Sequence, residues 1–96
     1  MYGTIGHFHV KADLEEQLLA ALRQVGDLQL SGSVAAYCYR SDALAQDYYI
    51  AVVFTDKEAY FAHARHPAVA AIDDRLMELL ENEPEWHDGE IMYAMK

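Results

Sequence analysis

An α+β fold, one antiparallel sheet with helices on a single face, is predicted by three features of the sequence. Strand-like and helix-like segments follow the order strand, helix, strand, strand, broken helix, strand. The segment "YYIAVVF" (48–54) is apolar on both sides, whereas a half-exposed strand would alternate. All of this fits within 96 residues, so residues 1–96 read as a single domain near the small end of what folds alone.

The first strand is "YGTIGHFHV" (2–10), where β-branched and aromatic residues mix with glycine. It gives way to "KADLEE", in which Asp13 and Glu16 have capping-box spacing and open a helix. Leu14, Leu18, Ala21, Leu22 and Val25 recur on one face of that helix, and Gly26 is placed to stop it. "GDLQLSGS" reads as a loop with Leu28 and Leu30 tucked beneath. "VAAYCYR" (34–40) is the second strand, "SDALAQD" a polar connection and "YYIAVVF" the third strand. Thr55 and Glu58 repeat the capping-box spacing for a helix through about Ala64. The residue before a proline avoids the α region, so this helix breaks at His66, and Pro67 begins another. Val69, Ile72, Leu76, Leu79 and Leu80 form the apolar face of the second piece. "ENEPEWHDG" then connects to a final strand, "EIMYAMK" (90–96). The order is the ferredoxin-like βαββαβ plan.

Helices on one face leave the other face of the third strand uncovered. There Tyr49, Ala51 and Val53 would expose an apolar patch beyond the few hundred Å² usual for a monomer. At about 25 cal/mol per Å², covering several hundred Å² is worth several kcal/mol, comparable to the whole stability of a small domain. A second copy is the simplest cover. Two sheets packed face to face would form a barrel across a homodimer.

Seven Lys and Arg stand against sixteen Asp and Glu, a formal charge of −9. That balance argues against nucleic acid or an anionic membrane as partner, since both require a positive surface. No apolar run reaches the roughly 20 residues of a membrane span, and no signal peptide is evident. A lone cysteine, Cys38, forms no internal disulfide. A soluble cytoplasmic protein is the expectation.

"HFHVKADLEEQLLAALRQ" and "YYIAVVFTDKEAYFAHARHPAV" resemble the antibiotic biosynthesis monooxygenase family, within the dimeric α+β barrel superfamily. The second stretch is similar to the family's strand, acidic turn, helix and "aH…hp" pattern, and the likeness covers nearly the whole chain. It implies a cofactor-independent monooxygenase oxidising a small phenolic, quinol or polycyclic aromatic substrate with O₂. The haem-degrading branch resembles itself in an Asn on the first strand, a Trp ending the third and a haem-ligating His on the following helix. Here those places hold His7, Phe54 and approximately Asp73, so haem chemistry is not implied. Phe54 can stack on a substrate but has no N–H to donate.

Within "AHARHPAV" (62–69), His63 reads either as a helix-end imidazolium meeting carbonyl ends or as a general base facing the space between helix and sheet. His66 reads as a cap or hinge. The break between them undermines a shared metal, so no metal is expected, nor a flavin or haem. His7 and His9 share one face of the first strand, and if that face meets the helices His7 joins His63 as a second catalytic candidate. Substrate-lining candidates are Phe54, Tyr48, Tyr60, Ile72 and Leu76. His87 reads as exposed, and Trp86 as a packing or interface anchor. Cys38 lacks an activating cation, and Asp73, Asp74 and Glu78 to Glu85 read as a solvated face and loop. A different class of function remains open on the same fold: a non-catalytic dimer that binds a small ligand or partner.

Overall fold

The computed structural model describes residues 1–95. The chain runs β1 (Tyr2–His9), α1 (Glu15–Asp27), β2 (Ser33–Arg40), β3 (Asp47–Phe54), α2 (Lys57–Arg65), α3 (Pro67–Met77) and β4 (Glu85–Glu90). The sheet has the order β2-β3-β1-β4 with every pairing antiparallel, which is the ferredoxin-like plan. Among the described residues, no helix is long and apolar enough to cross a membrane.

The two faces of the sheet follow from its register. Thr4, Gly6 and Phe8 of β1 lie opposite Val52, Ile50 and Tyr48 of β3, and these point toward the helices. Phe8, Tyr48 and Ile50 join Leu18 and Ala21 of α1 and Ile72 and Leu76 of α3 in one buried core. The opposite face presents Ile5, His7 and His9 beside Ala51, Tyr49 and Asp47, with Tyr37 and Tyr39 alongside on β2. Much of it is open: Ile5 is 50% exposed, Tyr37 65% and Tyr39 58%. Helix α1 is tied to the sheet by polar groups as well. Tyr48 Oη and Arg40 Nη1 each donate to Glu15 Oε1 at 2.9 Å.

Local details depart from the sequence-based expectations at four places. Asp13 has φ 65° and makes no cap; α1 starts after Leu14 without a side-chain acceptor. Gly26 does not stop α1, which continues to Asp27, because the N–H of the next residue, Leu28, still bonds back to the Val25 and Gly26 carbonyls. The cap of α2 is Asp56, one residue beyond Thr55, accepting from Ala59 N–H at 2.8 Å. The last strand is Glu85–Glu90, not 90–96. Pairing Tyr2 with Glu90 leaves Met1 O to accept from Ile91 N–H, so β1 offers residues 92–95 no further partner. Lys96 lies outside the described residues.

The break in the second helix is as expected. His66 is extended (φ −66°, ψ 127°), Pro67 follows at the first helical position, and His66 Nδ1 accepts from Ala68 N–H at 3.1 Å. The helix α3 ends at Met77, and Leu80 beyond it is buried against the core, bridged to Val10.

One glycine is required by packing. Trp86 of β4 lies over Gly6, its ring edge-to-face with Phe8 at 5.3 Å. A Cβ on Gly6 would sit 2.6 Å from Trp86 Cζ3. Gly6→Ala is therefore expected to destabilise the chain by about 1–3 kcal/mol, the usual cost of overpacking. Urea denaturation followed by the fluorescence of the single tryptophan checks this, and an unchanged midpoint would show that Trp86 does not rest on Gly6.

Candidate active site between the helices and the sheet

A cavity of about 830 Å³ lies between the helices and the sheet. That is within the usual range of small-ligand sites. Two helix-facing residues of β2, Ala36 and Cys38, are small and stand in its wall, where larger side chains would take up space. Leu22 and Val25 of α1 form one wall, and Val52 and Phe54 of β3 the floor. Tyr60 and His63 of α2 face Val69 and Leu76 of α3 around the remainder. Trp86 and Asp88 close the β4 side.

His63 sits half-buried in the last turn of α2, edge-on to Phe54 with ring centroids 5.2 Å apart and planes at 68°. Burial, followed by the neighbouring His66, holds its imidazole below the ordinary histidine value of 6.5. The ring is thus neutral near pH 7 and free to accept a proton. That outcome disfavours the helix-end imidazolium, which would need the charged form. Tyr60 also packs against Phe54, ring centroids 5.4 Å apart, and donates its hydroxyl to Asp88 Oδ2 at 2.9 Å. Thr4 Oγ1 donates to Asp88 Oδ1 at 2.6 Å. Burial, reinforced by Asp88, pushes the Tyr60 hydroxyl up to about 12, so it stays protonated as a fixed donor. Cys38 in the β2 wall is pushed up by burial and then by Glu15, which leaves it a thiol and inert as a nucleophile.

Comparison with known proteins bears on this geometry. The sequence pattern of the antibiotic biosynthesis monooxygenase family matches residues 1–75. This chain belongs to that family. Among solved structures, SnoaB, a cofactor-independent oxygenase from Streptomyces nogalater, is similar with a TM-score of 0.85 at 14% identity; the match covers 98% of this chain and 95% of that one. A protein of Mycobacterium tuberculosis has a TM-score of 0.84 at 15% identity, covering 99% and 98% of the two chains. A conserved protein of Methanosarcina mazei Go1 has a TM-score of 0.83 at 16% identity, covering 92% and 89%. At such identities the likeness speaks to the fold. No curated protein matches the chain by sequence.

In this antibiotic biosynthesis monooxygenase-family chain, the cavity brings together three of the five expected lining residues, Phe54, Tyr60 and Leu76, with His63. Tyr48 and Ile72 are not in its wall. Both are consumed in the core, where Tyr48 also reaches Glu15. His7 does not meet His63: odd positions of β1 point away from the helices, and His7 lies on the opposite side of the sheet. There its ring stacks on Tyr49, centroids 4.4 Å apart at 5°. Its Nε2 and the Nδ1 of His9 lie 3.2 and 2.7 Å from the two carboxylate oxygens of Asp47. Burial of Asp47 is outweighed by those histidine contacts, which hold its carboxyl below the usual range.

Sequence reasoning missed Trp86 and Asp88 as cavity residues because it placed them in a loop. The segment carries no apolar alternation to mark it as a strand, and only its pairing with β1 brings the two residues to the cavity. Asp73 is exposed, as its reading as part of a solvated face implies, and borders the cavity, where partial burial and then Asp74 raise its pKa.

The lowered His63 value has a consequence for stability. A histidine whose folded-state pKa is depressed contributes its full stability above the unfolded value of 6.5 and loses it as pH falls through the folded-state value. Wild type is therefore expected to lose stability relative to His63→Gln on acidification from about pH 7 to about pH 5. Denaturation midpoints across that range check it; parallel curves for the two proteins would contradict a buried neutral imidazole.

Proposed function

We propose that this protein is a cofactor-independent monooxygenase acting on a small phenolic, quinol or polycyclic aromatic substrate, with His63 as general base. One observation carries the reading: a neutral histidine stands edge-on to Phe54 in the wall of a largely apolar cavity of about 830 Å³. An interior filled by side chains would instead have favoured a non-catalytic interaction dimer. The family and the resemblance of fold to a cofactor-independent oxygenase support the same direction.

In this reading a planar aromatic lies against Phe54, and His63 removes its phenolic proton. The phenolate is far easier to oxidise than the phenol, and it reduces O₂ directly. One oxygen atom enters the ring as the second carbonyl of a quinone. The other leaves as water with the two hydrogens that the phenol loses, so the oxidant is O₂ alone. Tyr60, whose single hydroxyl proton goes to Asp88, can meet the substrate only as an acceptor, presenting an oxygen lone pair to a substrate O–H. Tyr48 and Ile72 support the wall from the core, and His7 has no part in the proton transfer.

The working unit in this proposal is a cytoplasmic homodimer. Ile5, Tyr37 and Tyr39 are at least half exposed on the sheet face away from the helices, beside Tyr49, Ala51 and Val53. A second copy laid on that face would complete the barrel and protect the apolar surface. Light scattering is expected to give twice the 10.9 kDa chain mass. Val53→Asp should dissociate or unfold the assembly, because a buried unpaired charge costs several kcal/mol. A monomer mass for wild type at micromolar concentration would overturn the dimer.

Oxygen uptake in the presence of quinols and anthrone-like phenols tests the chemistry. His63→Ala is expected to lower turnover about 10²–10⁴-fold, the usual contribution of a general base, while the protein stays folded. Undiminished turnover would remove His63 from the reaction. No uptake by wild type with any such substrate would favour a ligand-binding role.

A further inference from the structure

On the far side of the sheet from the cavity, two histidines and a carboxylate converge. His7 and His9 stand two apart on β1 and so share a face. Asp47, at the start of β3, is the register partner of His9. His7 Nε2 lies 3.2 Å from Asp47 Oδ2 and His9 Nδ1 2.7 Å from Asp47 Oδ1. One donor atom from each residue can be chosen so that all three lie within 4.8 Å of one another. The Asp47 side chain is only 11% exposed, His7 19% and His9 35%, so the carboxylate is nearly buried while the imidazoles keep partial access to solvent.

We propose that His7, His9 and Asp47 form a binding site for a divalent transition-metal ion such as zinc. Two neutral imidazoles and a carboxylate are the ligand types that suit such ions. Around a tetrahedral ion with bonds of about 2.0–2.2 Å, ligand atoms stand about 3.3–3.5 Å apart. The present separations approach that spacing, and small side-chain rotations would admit the ion. Backbone geometry does most of the positioning: adjacent strands fix Asp47 against His9, and the pleat fixes His7 on the same face. Stacking of His7 on Tyr49 holds its ring plane.

Three protein ligands leave one tetrahedral position for water or a group from outside. The site lies on the face proposed for the second copy, but ion binding by one chain does not require that copy. The sheet separates the ion from His63, so the aromatic oxidation proposed for the cavity proceeds without it. The sequence carried a signal for this site in "HFH" (7–9), but its third ligand sits almost forty residues later at the head of another strand.

The test is calorimetric titration of the untagged, chelator-treated full chain with Zn²⁺ alone. Wild type is expected to bind one ion per chain saturably and to melt at higher temperature in its presence. Asp47→Asn and His9→Ala should each weaken binding by about 100-fold or more, since even the partners behind metal ligands contribute about 10–100-fold. His87→Ala, which removes an exposed histidine of β4, should leave affinity unchanged. Circular dichroism establishes that each variant is folded, and Asp47→Asn, being isosteric, provides the reading should His9→Ala fail to fold. Absence of saturable binding by wild type, or equal losses in His87→Ala and Asp47→Asn, would overturn the site.

Discussion

The structure depends on one constraint: β3 is apolar on both faces and lies inside the sheet, between β2 and β1. Its even-numbered residues, Tyr48, Ile50, Val52 and Phe54, need helices above them. Its odd-numbered residues, Tyr49, Ala51 and Val53, need some other cover. Helices α1 and α3 meet the first requirement through Leu18, Ala21, Ile72 and Leu76, and Tyr48 fixes α1 by its bond to Glu15. At the other end of the strand, Phe54 takes the rings of Tyr60 and His63 against its edges. The same strand thus anchors the core at one end and sets the floor of the cavity at the other.

The cavity is a by-product of residue size along the neighbouring strand. Ala36 and Cys38 occupy helix-facing positions of β2 and border the cavity, and their small side chains leave that space unfilled. The void is open enough to admit a ligand, and its wall includes a base that burial keeps neutral. On the reverse face, His7, His9 and Asp47 are held by the same two strands but in the opposite phase of the pleat. Two groups of polar residues with different chemistry therefore stand back to back across one layer of backbone.

Much of this was legible in the sequence. The period-two pattern of the strands, the run at 48–54 and the His66–Pro67 break fixed the ferredoxin-like order, because each is a short-range consequence of backbone sterics and burial. Helix caps were less legible: Asp13 had the right spacing but adopts a left-handed backbone. Strand β4 was misplaced because "EWHDGE" lacks apolar alternation, being exposed throughout, and is held as a strand by pairing with β1 rather than by its own composition. His63 could be placed in the site from its helix position, as could Phe54, Tyr60 and Leu76. Trp86, Asp88 and Asp47 could not, since each depends on a long-range register that one-dimensional spacing does not contain.

The central claim is that the space between helices and sheet receives a planar aromatic ligand beside His63. Trp86, the single tryptophan, stands in the wall of that space and reports on it directly. Titration with a phenolic polycyclic compound under anaerobic conditions should perturb Trp86 emission saturably, and Ala36→Phe, which places a large side chain in the cavity, should abolish the saturable change while the protein remains folded. No saturable change in wild type with such compounds, or binding that is undiminished when Ala36→Phe occupies the cavity, would contradict the account.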